Sequence, residues 1–288
     1  MAYASKTVAS SLVFLILAGM ASLGACAQSP ATTSPTDAAT PPSTSDEEAQ
    51  PSDPEEGATE PEEGATEPEE GEPNSDSGQT GGSLTGRSVF FAHMSVGENI
   101  VHGIEAIDPS IDIMWCDDAG TPGLTECTLG YNGDPLQKLT EFEAMMDADG
   151  NRSQIAFMKF CYSDFQPEIS PDAVFDTYVA TFNELEKRYP NVTFIHVTAP
   201  LSAAEVSWTN DLQDTFNTKL RAQYGSLVFD LADLESAGTS GTPTLSLDGV
   251  SPAMAEEFSE DGGHLNAAGS YAIAEKLLDF LRQVPLKS

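Results

Sequence analysis

A serine, a histidine and an aspartate in this 288-residue chain have the side-chain types that acyl transfer to a hydroxyl requires. The segment Asp261-Gly262-Gly263-His264-Leu265-Asn266 sets a carboxylate three residues before an imidazole. An aspartate there can accept the Nδ1–H of His264, fix its tautomer and leave Nε2 free to take a proton. Ser95, in Phe90-Phe91-Ala92-His93-Met94-Ser95-Val96-Gly97, supplies a hydroxyl directly after a short apolar run. Each fragment alone has a plainer reading. Turns often hold both Asp and His, and Ser95-x-x-Glu98 has the form of a capping box at a helix start. Together they fit nucleophilic catalysis, with Ser95 as nucleophile, His264 as base and Asp261 as its orienting carboxylate.

Such residues meet only if the chain between them brings them to one edge of a fold, and the hydrophobic pattern provides for that. Apolar runs at 88–92, 111–115, 155–160, 192–197 and 227–230 read as strands. Helical spacing marks 96–107, 135–146, about 171–188, 209–224 and 267–281. Pro135 and Ser170-Pro171 open two of these helices, and Pro190 follows the end of one. Alternating strands and helices predict a parallel α/β sheet covered on both faces, with ligands at the carboxyl ends of the strands. Ser95 follows the first strand, and His264 precedes the last helix.

The post-strand serine and the Asp-x-x-His-Leu-Asn segment resemble the SGNH/GDSL hydrolase family over residues 88–281. The resemblance implies a three-layer α/β/α, flavodoxin-like fold with about five parallel strands. It also implies a Ser95–His264–Asp261 triad that needs no metal. The family's Gly-Asp-Ser-Leu is His93-Met94-Ser95-Val96 here, so only the serine is kept. The family's Gly-x-Asn-Asp, whose Asn donates to the oxyanion, corresponds to Cys161-Tyr162-Ser163-Asp164. Ser163 stands where that Asn would be, and its hydroxyl can donate one hydrogen bond. Gly130-Tyr131-Asn132-Gly133-Asp134 has the glycines and the amide that an oxyanion site needs, which nominates Asn132 and Gly130. The same Asn-Gly pair is also a strong turn signal.

The remaining site candidates read more plainly. His93 lies at a strand end, where it either lines the pocket or has a structural role. His196 is inside a buried strand and His102 is peripheral on a helix. Asp164 is a pocket wall or a cap. Residues 236–260, rich in Gly, Ser, Thr and Pro, read as a mobile wall before His264. No Cys-x-x-Cys or His-Glu-x-x-His spacing is present, so neither a metal nor a cofactor is expected.

The two ends of the chain differ in kind. Lys6 and the apolar run that starts at Val8 read as an export signal over residues 1–25, too short to span a bilayer. Leu23-Gly24-Ala25-Cys26 resembles the lipobox of bacterial lipoproteins, in which the cysteine is acylated and becomes the new N-terminus. Residues 26–86 form an acidic, proline-rich tether in which Pro-Glu-Glu-Gly recurs every seven residues. Pro and Gly in each repeat exclude a coiled coil, and the segment has too little apolar surface to fold. The hydrolase-like domain takes residues 87–288. In an oxidising compartment Cys116 and Cys127, around a loop rich in Asp, Gly and Thr, could pair and leave Cys161 single.

The net charge of −34, from 46 acidic and 12 basic residues, is shared between tether and domain. Binding of nucleic acid through its phosphates is thereby excluded. The expected partners are a small-molecule or saccharide ester substrate and a membrane, the latter through the lipid anchor only. The expected localisation is the extracytoplasmic face of the cell membrane. Two alternatives share this pattern: an O-acyltransferase using the same triad, and a non-catalytic cell-surface binding module on the same fold.

Overall fold

The computed structural model describes residues 84, 86–206 and 209–287. The expected signal peptide, Cys26 and nearly all of the tether lie outside the described residues. Leu84, which composition assigns to the tether, is 2% exposed and packs into the core. The packed part of the chain therefore begins no later than Leu84.

Strand β1, Ser88–His93, is buried along its whole length. Its side chains alternate between two cores, as a period of two requires. Val89 and Phe91 join one cluster, Phe90 and Ala92 the other. Strand β4, Ile155–Met158, repeats the division, with Ile155 and Phe157 facing one way and Ala156 and Met158 the other. A sheet apolar on both faces must be covered on both. Helices α1 (Val96–Ile107), α5 (Leu231–Ala237) and α6 (Ala267–Gln283) contribute to the first core. Helices α2 (Pro135–Ala148), α3 (Pro171–Arg188) and α4 (Asn210–Tyr224) contribute to the second. The result is a three-layer α/β/α domain.

The strands of the main sheet pair in parallel among the described residues, in the order β2-β3-β1-β4-β5, where β2 is Ile113–Trp115, β3 is Gly123–Thr128 and β5 is Thr193–Phe194. Strand β6, His196–Val197, continues from β5 and pairs with β7, Val228–Phe229, in a second two-stranded sheet. With the short edge strand β2 set aside, β3-β1-β4-β5/β6-β7 is the flavodoxin-like order. The expected run at 192–197 is thus one segment that hands the sheet on from β4 to β7. The loops after β3, β1 and β4 emerge side by side at the carboxyl edge, with that of β1 in the middle.

Strand β3 was not legible in the sequence, which reads those residues as part of a loop between two cysteines. It lacks a run of large apolar residues, yet Leu124 and Thr125 are fully buried. Helix α5 also escapes the periodicity reading because it is only seven residues long. Its start is marked by Asp230, whose side chain accepts the N–H of Asp233.

Helices α1 and α6 meet at Gly103. A Cβ there would collide with the Ser270 carbonyl oxygen and would lie 2.8 Å from the Ala274 Cβ. Only a glycine permits this approach. It joins the helix that starts after Ser95 to the helix that starts after His264.

Candidate active site

Ser95 occupies the turn between β1 and α1 with φ 57° and ψ −113°. Among the described residues it is the only non-glycine residue with positive φ. Its side chain makes no cap hydrogen bond, so the capping-box reading does not describe this turn. A serine held in a backbone region that costs about 1–3 kcal/mol is an outlier of the kind that gathers at functional sites. A sharp strand-to-helix turn of this sort exposes a hydroxyl over the sheet edge.

Asp261 Oδ2 receives His264 Nδ1 at 2.6 Å. Asp261 Oδ1 accepts the main-chain N–H groups of Gly263 at 2.9 Å and His264 at 2.8 Å. These N–H groups, with the imidazole, hold the Asp261 carboxyl well below the usual carboxylate range. The pair is open to solvent, with side chains 46% and 58% exposed for His264 and Asp261. No hydrogen bond joins Ser95 Oγ to His264 Nε2 among the described residues. The two segments are joined instead through Asn99, one turn beyond Ser95 on α1, whose Oδ1 accepts the N–H of Leu265 at 3.2 Å.

The loops after β3 and β4 are tied to each other by a buried ion pair. Lys138 Nζ and Asp164 Oδ2 are 2.7 Å apart, and both side chains are fully buried. Asp164 also accepts the N–H of Cys161 at 2.7 Å and of Gly133 at 2.8 Å. Lys138 donates a further bond to Asn132 Oδ1 at 2.9 Å. Asp164 is therefore a cap and a tie between loops, and no wall of a pocket. Lys138 lies four residues before Phe142, on the flank of the buried face of α2.

Two cavities open near these residues. One, of about 160 Å³, is lined by Ser95, His93, Glu98, His102, Trp115 and Glu126, among others. The other, of about 290 Å³, is lined by Tyr162, Ser163, Gln166, Thr209 and Asp261, among others. Ser95 and Ser163 thus border different cavities, against the expectation that they would share one. Gly130 and Asn132 border neither. His102, expected to be peripheral, lines the Ser95 cavity.

His93 takes both of its expected roles. It borders that cavity and is 5% exposed, with Nε2 at 2.9 Å from Glu126 Oε2. Burial lowers its pKa, so the ring favours the neutral form. Glu126 was missed because β3 was missed. His196 is a core residue, fully buried, with Nδ1 at 2.9 Å from the Tyr178 hydroxyl.

Residues 236–260 are held by main-chain bonds, Thr244 to Ser236, Ala253 to Thr244 and Ala255 to Glu235, all at 2.9 Å. They border neither cavity, so the segment is a pinned flank where a mobile wall was expected. Cys116 and Cys127 are disulfide-bonded with Cα atoms 5.1 Å apart. Cys161 is free and buried. Among the described residues no cluster of His, Cys, Asp and Glu could hold a metal ion. None of the described helices is long and apolar enough to cross a membrane.

No family model and no curated protein matches the chain. Its structural neighbours are lipolytic proteins and esterases of the GDSL type, at low identity. A member of the lipolytic protein G-D-S-L family from Veillonella parvula is 14% identical, with a TM-score of 0.45, over 68% of this chain and 98% of that one. The lipase/acylhydrolase of Enterococcus faecalis is 11% identical, with a TM-score of 0.44, over 68% and 95%. A psychrotrophic esterase from Pseudoalteromonas sp. is 10% identical, with a TM-score of 0.43, over 68% and 97%.

Proposed function

We propose that this protein is a serine ester hydrolase acting outside the cytoplasm, with Ser95 as nucleophile, His264 as general base and Asp261 as the carboxylate that orients it. The observation that carries the reading is the backbone of Ser95, the one non-glycine positive-φ residue of the described chain, placed at the carboxyl end of the central strand. The hydrogen-bonded Asp261–His264 pair, at the start of the helix packed on α1, supports it.

In the first half-reaction Ser95 Oγ attacks the ester carbonyl and its proton passes to His264 Nε2. The alcohol leaves with that proton, and the acyl group remains on Ser95. Water then attacks the acyl-enzyme, gives a proton to His264 and releases the acid, and the proton returns to Ser95. Asp261 stays ionised throughout and stabilises the imidazolium. A catalytic hydrogen bond that is absent without substrate and forms when substrate binds is compatible with this chemistry. Small acyl groups, acetyl above all, are the proposed acyl portion, with carbohydrate hydroxyls among the alcohols. Cys26 is the proposed lipid anchor.

The decisive experiment is labelling with a fluorophosphonate probe. Wild-type protein should label and Ser95→Ala should not. Equal labelling of the two, or none of either, would sink the assignment. A second reading, a binding module without catalysis, draws on the missing Ser95–His264 hydrogen bond, and the same labelling separates it. For the anchor, Cys26→Ser should release the protein from bacterial membranes into the soluble fraction. Unchanged membrane partition would refute it.

A further inference from the structure

The imidazole of His264 sits on an exposed loop, and its bond to Asp261 is local, between residues three apart on that loop. Local support fixes the ring relative to its own loop and leaves open what fixes the loop relative to Ser95. Tyr162, the first residue of the single helical turn Tyr162–Asp164 after β4, reaches this loop from the far side. Its ring meets the His264 ring edge to face, with centroids 6.2 Å apart and planes at 81°. Its hydroxyl lies against Gly263, where a Cβ would be 2.5 Å from Tyr162 Oη. Only a glycine leaves room for the phenol at that point. Burial raises the Tyr162 pKa, with the Asp261 charge adding to it, so the hydroxyl stays protonated beside the carboxylate.

Tyr162 is held in turn. Its carbonyl accepts Gln213 Nε2 at 2.6 Å. The turn that carries it is fixed by Asp164, which accepts the N–H of Cys161, and Asp164 is fixed by Lys138 from α2. A fully buried ion pair is a costly way to stabilise a fold, because desolvation of the charges offsets much of their attraction. Its effect here is geometric. It locks one short turn at the carboxyl edge of the sheet, and that turn presents the ring that packs on the candidate base.

We propose that Tyr162 is a positioning residue for His264, and that the buried Lys138–Asp164 pair acts on the same imidazole through Tyr162. The inference rests on the hydrolase reading and goes beyond it. The aromatic contact and the pair form one chain of support, Lys138 to Asp164 to Tyr162 to His264. It reaches the imidazole from the β4 side, while Asn99 reaches the same loop from α1.

The test is steady-state kinetics on an activated acetyl ester, with folding checked by circular dichroism and thermal melting. Tyr162→Leu should lower kcat by about 10- to 100-fold with little change in KM, the cost of a misplaced reacting group. Tyr162→Phe keeps the ring and should restore kcat to within about threefold of wild type, since the edge-to-face contact survives. Replacing both members of the ion pair together, Lys138→Met with Asp164→Asn, leaves no orphaned charge and should reproduce the kcat loss. Adding Tyr162→Leu to that double variant should cost less than about threefold more, because residues acting through one another do not add.

Wild-type kcat in Tyr162→Leu overturns the inference, as does a loss from the pair that multiplies with the loss from Tyr162. If the double variant does not fold, the Leu and Phe variants decide alone. Failure of the hydrolase reading looks different: the wild type then shows neither turnover nor Ser95-dependent labelling, and the inference falls with it.

Discussion

Asn99 Oδ1 accepts the main-chain N–H of Leu265 at 3.2 Å, so the first turn of the helix behind Ser95 grips the residue that follows His264. The two lie 166 positions apart in sequence. Removing the amide in Asn99→Ala should lower kcat by about 10²-fold, the cost of a displacement on the order of 1 Å, with a smaller effect on KM. Asn99→Asp keeps an oxygen that can accept the same N–H and should retain much more activity. Equal kinetics for Ala and Asp variants would show that this bond does not position the base.

The backbone of Ser95 predicts a trade between activity and stability. Glycine adopts positive φ without the Cβ conflict, so Ser95→Gly removes strain that Ser95→Ala keeps. Both variants should be inactive. The glycine variant should melt about 2–4 °C above the alanine variant, equivalent to a net gain of about 1 kcal/mol in a domain of this size. A lower melting temperature for glycine would mean that the turn is unstrained.

Two buried groups on the two sides of the sheet should shape stability against pH in opposite senses. Burial lowers the pKa of His196 from 6.5 to about 3. Between those values the unfolded chain holds a proton that the folded chain does not, so stability falls as pH drops below about 6.5. Burial raises the pKa of Glu235 from 4.5 to about 8. Here the folded state holds the extra proton, and stability falls as pH rises from 4.5 toward 8. Each limb is worth roughly 5 kcal/mol at full extent. Chemical denaturation across pH should find a broad maximum at about pH 4.5–6.5, where the two windows overlap and their opposite slopes cancel. His196→Gln should flatten the acid limb and Glu235→Gln the alkaline one. A profile unchanged by Glu235→Gln would show that this carboxyl is not protonated in the fold.

The cavity beside Ser95 bears on which esters the protein accepts. Glu98 and Glu126 line it, and no lysine or arginine does. An ester with a second, free carboxylate should therefore react more slowly than its neutral counterpart, by about tenfold for one added like charge near a surface. The comparison is the 4-nitrophenyl hemiester of adipic acid against its methyl ester, which has the same acyl chain without the charge. Added salt should narrow the gap by screening. Equal kcat/KM values at low ionic strength would remove any role for these carboxylates in selection.

The sequence exposed those parts of the fold whose signals are local. Helix α3 is bounded by Ser170-Pro171 at one end and Pro190 beyond the other, and it spans the expected residues. Helix α1 likewise matches its apolar spacing. Strand β3 was hidden because its burial comes from neighbours on both sides, where Thr125 and Cys127 need no apolar run to be covered. In the candidate site, Asp261 and His264 were legible because they are three residues apart and form their bond within one turn. Asn99, Tyr162 and Lys138 were not. Each looks like an ordinary helix or loop residue until a partner between 26 and 166 positions away is brought to it. Long-range pairs of this kind leave no period and no spacing in one sequence.

The contact at Gly103 gives the separation of Ser95 and His264 an unusual kind of ruler. At Gly103 bare main chain of α1 lies against the Ser270 carbonyl and the Ala274 methyl group of α6, with no rotatable side chain at that point to change rotamer. Most helix pairs can be retuned by trading one core side chain for another of different volume. At the Gly103 crossing there is no such adjustable shim. A single methyl group placed at position 103, remote from the reacting atoms, would act as a wedge between the halves of the machinery.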